Sequence, residues 1–124
     1  MMLKLIGSAM IALATIASVP AMAGGAGVYT VKGNNGEPDT DYSGTLTIVQ
    51  TGKDTFKLTW NIEGERYEGY AVGDERVLAA SFRNKKSSGT ALLVEDDENK
   101  GGYQSIWAFD GETRLGIEKI SPKK

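Results

Sequence analysis

Residues 55–69 read Thr-Phe-Lys-Leu-Thr-Trp-Asn-Ile-Glu-Gly-Glu-Arg-Tyr-Glu-Gly. Phe56, Leu58, Trp60 and Ile62 alternate with Lys57, Thr59 and Asn61. Successive side chains of a strand point to opposite faces, so the first set faces a core and the second faces water. Gly64 and Glu65 are expected to form a two-residue turn into a second strand. That turn would pair Glu63 with Arg66, Ile62 with Tyr67, and Trp60 with Gly69, whose missing side chain leaves room for the indole.

The same pattern extends in both directions. Alternating stretches predict strands at 28–32, 42–50, 55–62, 66–72, 77–83, 90–95, 103–109 and 114–120. Between them lie breaks rich in Gly, Asn and Asp, the chemistry of hairpin connections. No stretch from residue 24 onward keeps a helical period over three turns. The fold class is therefore all-β. Eight short strands joined in sequence make an antiparallel up-and-down meander, which either closes into a small barrel or splits into two sheets. Closure removes exposed edges and is the expected solution.

The hairpin recurs. Trp60-Asn-Ile-Glu-Gly-Glu-Arg-Tyr-Glu-Gly69 matches Trp107-Ala-Phe-Asp-Gly-Glu-Thr-Arg-Leu-Gly116 at Trp, Gly, Glu and Gly, and Ser43-Gly44-Thr45 matches Ser88-Gly89-Thr90. Two four-strand repeats, 27–73 and 76–120, are the reading this order favours over chance similarity of two hairpins. The match also fixes a face. Trp107 should point inward with Tyr103, Ser105 and Phe109, which sends Ile106, Ala108, Leu115 and Ile117 outward. Tyr70, Val72, Val77 and Ala79 fall outside by the same alternation. Such an apolar exterior has two explanations. Tyr70, Val72, Ile106, Leu115 and Ile117 form a dimer or partner interface, or the last hairpin has the opposite parity and Ile106, Leu115 and Ile117 are core.

Residues 1–23 carry the pattern of a secretory signal peptide. Lys4 precedes an apolar run, Pro20 breaks it, and Ala21-Met22-Ala23 has the small-x-small form of a cleavage site. The run is shorter than the ~20 residues that span a bilayer. Residues 24–124 are then one domain of an exported protein, periplasmic or secreted. Loss of Lys4 takes the formal net charge from −2 to −3. That sign, with scattered basic residues, argues against nucleic acid and anionic membrane surfaces as partners. An outer-membrane barrel is excluded by short strands and by Lys57, Thr59 and Asn61 on the outer face.

The chain has no His and no Cys. Imidazole and thiolate metal sites, disulfides and Ser-His-Asp or Cys-His catalysis are thereby absent. The acidic run Glu95-Asp96-Asp97-Glu98 lacks the spacing of a calcium loop and reads as a solvated hairpin tip. No nucleophile stands beside a base, so no enzyme activity, cofactor or metal is expected. Glu118 is the acid of most interest. It falls inward and would need a partner, either Arg114 or the hydroxyl of Ser105 or Tyr103. It is either the polar anchor of a ligand pocket among Trp60, Tyr67, Tyr103 and Trp107, or a structural pair or rim residue. Ten aromatic residues in so short a barrel favour a filled interior.

The strand Tyr42-Ser-Gly-Thr-Leu-Thr-Ile, the Trp60-Asn-Ile hairpin, Tyr67-Glu-Gly69 and the closing Leu115-Gly-Ile-Glu118 resemble a family of small exported bacterial β-proteins, some of them labelled fibronectin-binding. The resemblance implies a non-enzymatic, adhesin-like protein-binding module and no catalytic residues. In architecture alone the meander is similar to avidin-like and lipocalin-like barrels. Three roles follow as expectations: a protein-binding module using the apolar exterior, a carrier of a small apolar ligand, and an inhibitor of an exported hydrolase that probes its target with the 33–41 loop.

Overall fold

Alternation along every strand builds the interior of the barrel. In the computed structural model, which describes residues 25–123, eight strands follow one another. They are β1 (Gly27–Asn34), β2 (Tyr42–Gly52), β3 (Thr55–Ile62), β4 (Glu65–Asp74), β5 (Val77–Arg83), β6 (Ser88–Glu95), β7 (Tyr103–Phe109) and β8 (Gly116–Pro122). Each pairs antiparallel with the next, and β1 pairs with β8, so the sheet closes into a barrel. Closure leaves no unpaired edge strand, which suits a domain with no helix among its described residues. The expected leader, 1–23, lies outside the described residues.

The inward set is apolar in layers. Tyr29 and Val31 from β1, Leu46 and Ile48 from β2, Leu58 from β3, Leu78 from β5, Leu93 from β6 and Ile120 from β8 are at most 2% exposed. The outward set is mostly polar on β1 to β3, Val28 and Val49 apart, and from β4 to β8 it includes Tyr70, Val72, Val77, Leu92, Val94, Ile106 and Ile117. Trp107 and Phe109 face inward and Ile106, Leu115 and Ile117 outward, so the parity taken from the repeat is the observed one.

The register of the first repeated hairpin differs from expectation. The turn residues are Glu63 and Gly64, with φ of 50° and 88°, not Gly64 and Glu65. A two-residue turn that follows the twist of its strands requires positive φ at both central positions, and glycine meets that requirement best at the second. Ile62 therefore pairs with Glu65, Asn61 with Arg66, Trp60 with Tyr67 and Leu58 with Gly69. The expected Glu63–Arg66 pair is absent. Glu63 Oε2 accepts from the Ser43 N–H at 3.0 Å, and Arg66 pairs with Glu68 at 2.9 Å. Gly69 serves the neighbouring strand instead, since a Cβ there would lie 1.6 Å from the Ser81 carbonyl oxygen.

The second hairpin has the register expected for the first. Trp107 pairs with Gly116, and a Cβ on Gly116 would lie 2.1 Å from Cε2 of the indole. The ring lies over the glycine, as a strand glycine permits. The difference comes from the loop: residues 110–115 separate β7 from β8, against two residues between β3 and β4. Elsewhere the halves coincide closely. A Cβ on Gly44 would meet the Asn61 carbonyl at 2.1 Å, and one on Gly89 the Ala108 carbonyl at 2.2 Å, the residues that follow Trp60 and Trp107.

One end of the barrel is shut. Ahead of β1, Gly25 lies under the barrel, where it is buried. Its N–H donates to the Tyr103 hydroxyl at 2.8 Å, and its carbonyl accepts from the Tyr29 hydroxyl at 2.6 Å. Tyr103 in turn donates to the Glu75 carbonyl at 2.9 Å. Burial raises the pKa of both phenols, so they remain neutral donors throughout the physiological range.

Candidate functional site

The opposite end is open and differently furnished. Here lie the loops β1–β2, β3–β4, β5–β6 and β7–β8. Below them the inward residues enclose a cavity of ≈ 400 Å³, within the size range of small-ligand sites. Six of its lining side chains are aromatic: Tyr42, Trp60, Tyr67, Phe82, Trp107 and Phe109. The interior is thus packed in one half and hollow in the other, a correction to the filled barrel expected from the aromatic count.

Phe82 organises the walls. The rings of Trp60, Tyr67, Trp107 and Phe109 stand edge-on to it at centroid distances of 6.0, 5.9, 6.1 and 5.8 Å. Edge-to-face contacts of this kind add about 0.5–1.5 kcal/mol each beyond burial and hold rings in fixed orientations. Trp60 and Trp107 come from β3 and β7, half the barrel apart, so they stand on facing walls with Phe82 between.

Glu118 is the acid at the floor. It alternates with buried Gly116 and Ile120 on β8 and stands opposite buried Ser105 on β7. Its partner is none of the three expected. Tyr42 donates its hydroxyl proton to Glu118 Oε2 at 2.6 Å. Burial raises the Glu118 carboxyl above its usual range, while hydrogen bonds from Tyr42 and the Trp60 indole partly oppose that rise. The Tyr42 phenol is pushed strongly upward, first by burial and then by the carboxylate beside it. Arg114 points away to the rim, where it meets Glu37 at 3.2 Å and ties the β7–β8 loop to the β1–β2 loop. The Ser105 hydroxyl, though opposite Glu118, donates to the Ile106 carbonyl at 3.5 Å, and Tyr103 belongs to the closed end.

Of the five expected pocket residues, Trp60, Tyr67, Trp107 and Glu118 line one cavity and Tyr103 does not. Alternation fixes the face of a side chain but not its height. Tyr103 and Trp107 share a face yet stand four residues apart, about 13 Å along the strand. The cavity also uses residues with no expected role. Tyr42 starts β2, Phe82 comes from β5, and Asn35 and Thr40 descend from the β1–β2 loop. Asn35 is held there by its N–H, which donates to Thr40 Oγ1 at 3.2 Å. Two buried polar atoms among the described residues lack partners, Asn35 Oδ1 and Trp107 Nε1, and both residues line this cavity.

Other features carry less chemistry. A broader trough of ≈ 880 Å³ crosses the outside of β1, β7 and β8 and mixes Lys32 and Lys119 with Glu98 and Gln104. The acidic hairpin tip is only partly solvated. Asp96 is buried, and its carboxylate accepts the Glu98 N–H at 3.0 Å, which spends it on the turn.

The outer face holds one continuous feature. Val72 pairs with Ala79, Ala79 with Leu92, Leu92 with Ile106, and Ile106 with Ile117. Direct cross-strand neighbours thus draw an apolar stripe over β4 to β8. Tyr70 and Leu115 flank it at 60% and 54% exposure. No protein-family model matches the chain, and neither does any curated protein.

Proposed function

We propose that this is an exported, non-enzymatic binding protein that takes one small, largely apolar ligand into the aromatic mouth of its barrel. The cavity carries this reading: six aromatic side chains enclose it, one carboxyl group lies at its floor, and two buried polar atoms stand without partners. Small-molecule sites have this constitution, an apolar lining with a few convergent polar groups that orient the ligand. Unpaired buried polar atoms are costly in an empty site and are satisfied when a ligand supplies the missing donor and acceptor.

Both tryptophans of the sequence line the cavity, so tryptophan fluorescence reports on it. Protein purified gently and measured by native mass spectrometry should carry a small molecule, and its release should shift the tryptophan emission. A ligand-free mass together with an emission spectrum indifferent to every added aromatic compound would overturn this reading.

The apolar stripe supports a second role, as a protein-binding module of the adhesin-like kind. Four strands contribute large exposed aliphatic side chains in register, Val72, Leu92, Ile106 and Ile117, with Ala79 of β5 among them, more than scattered surface hydrophobics would place together. The hydrolase-inhibitor role has less support, because the 33–41 loop that was to probe a target folds over the mouth and lends Asn35 and Thr40 to the cavity.

A further inference from the structure

We infer that the ligand is an organic cation, a protonated amine or quaternary ammonium carried on an apolar body. This rests on the reading of the cavity as a small-molecule site and names the class of molecule it would take.

Charge in the lining has one sign. Glu118 lies at the floor and Glu63 and Glu65 at the rim, and no lysine or arginine is among the described lining residues. Arg66, between the lining residues Glu65 and Tyr67, pairs with Glu68, and Arg114 of the β7–β8 loop pairs with Glu37. An anionic ligand would meet three carboxylates and no compensating cation. A cation would meet ring faces as well as carboxylates, and aromatic faces attract cations more strongly once both are out of water. Trp60, Trp107 and Phe82 all line this space.

The acid at the floor is not required by the barrel. On the correspondence of Trp60 with Trp107, Ser105 matches Leu58; Ser105 stands opposite Glu118, whereas Leu58 stands opposite Gly69. Leu58 and Gly69 are buried and neither has a polar side chain. The first half closes its part of the barrel without a polar group there, while the second half places a carboxyl in the same layer at a desolvation cost. A group that the fold does not need and that burial disfavours is accounted for by what it binds. Asn35 Oδ1 adds an unpaired acceptor suited to an ammonium N–H, and the Trp107 indole N–H would meet an acceptor on the ligand body.

The test uses three probes with the same ring and chain length: 2-phenylethylamine, 2-phenylethanol and 3-phenylpropanoate. Each is titrated into the purified protein at neutral pH, with tryptophan fluorescence and calorimetry as readouts. The amine should bind at least roughly tenfold more tightly than the alcohol, equivalent to about 1.4 kcal/mol, and the carboxylate should bind least. Glu118→Gln should remove the preference for the amine over the alcohol. Glu118→Ala serves as a second variant if the amide disturbs folding. Equal affinities for amine and alcohol would overturn the cation assignment and leave the small-molecule reading standing. Failure of all three probes to bind at millimolar concentration would overturn both.

Discussion

The hydroxyl of Tyr42 and the carboxylate of Glu118 meet at 2.6 Å, although seventy-six residues separate them. The contact passes over Gly33 of β1, which lies between β2 and β8. Tyr42→Phe should remove a hydrogen bond to a partly buried acid and cost about 1–3 kcal/mol in chemical denaturation. It should also push the Glu118 carboxyl further upward, because the phenol now favours the charged form. Carbon-13 titration of the glutamate side chains would detect that movement. An unchanged Glu118 titration would mean the bond contributes nothing to the state of the acid.

The raised Glu118 pKa gives stability a defined pH dependence. The native state holds this proton more tightly than the unfolded chain, whose glutamates titrate near 4.5. The contribution is therefore fully present below that value and is lost as pH rises through the native pKa. The groups facing Glu118 from other strands are the Tyr42 phenol, the Trp60 indole and the Ser105 hydroxyl; Glu63 and Glu65 stand at the rim. Glu118→Gln lacks the titrating group. Thermal midpoints compared from about pH 4 to about pH 8 should show the variant gaining on the wild type as pH rises.

Gly116 is fixed by the ring above it. Gly116→Ala puts a Cβ 2.1 Å from Trp107 Cε2, so the indole must leave its seat and intrude on the cavity. A loss of about 1–3 kcal/mol is expected for this overpacking. Tryptophan emission should change with it. A wild-type spectrum would show that the ring has another position at no cost.

The apolar stripe makes the opposite forecast. Ile106 is 43% exposed and Leu115 54%. Ile106→Lys and Leu115→Lys should fold with stability within about 0.5 kcal/mol of the parent, as surface substitutions do. Any partner or self-association that uses the stripe should be lost, as read by sedimentation velocity. Unfolding of either variant would place these side chains in a core.

Much of this architecture is legible in the chain itself. Strand number, meander order and closure follow from alternation and turn chemistry, and Val77–Arg83 and Tyr103–Phe109 coincide with their predicted bounds. The repeat supplied the parity of β7 and β8, which alternation alone leaves ambiguous because both faces of Tyr103–Phe109 are apolar. Register was less legible. The first hairpin turns one residue earlier than expected because Glu63 accepts a left-handed conformation, a cost that no composition rule assigns to glutamate. The site was half legible. Trp60, Tyr67, Trp107 and Glu118 share a face in the sequence pattern, but height along the barrel depends on the stagger of paired strands. That stagger sends Tyr103 to the closed end and brings in Tyr42 and Phe82. Asn35 and Thr40 arrive by a loop whose path no periodicity describes.

The seal at Gly25 has a consequence for how the molecule can be held. The chain enters the barrel beneath Tyr29 and Tyr103, and it leaves at the same end, where the Lys123 N–H donates to the Val28 carbonyl at 2.9 Å. Entry and exit share the closed end, so the barrel is a cup whose handle lies opposite its lip. A tether, a fused domain or an immobilising tag on either terminus would present the mouth outward and leave its four loops unobstructed.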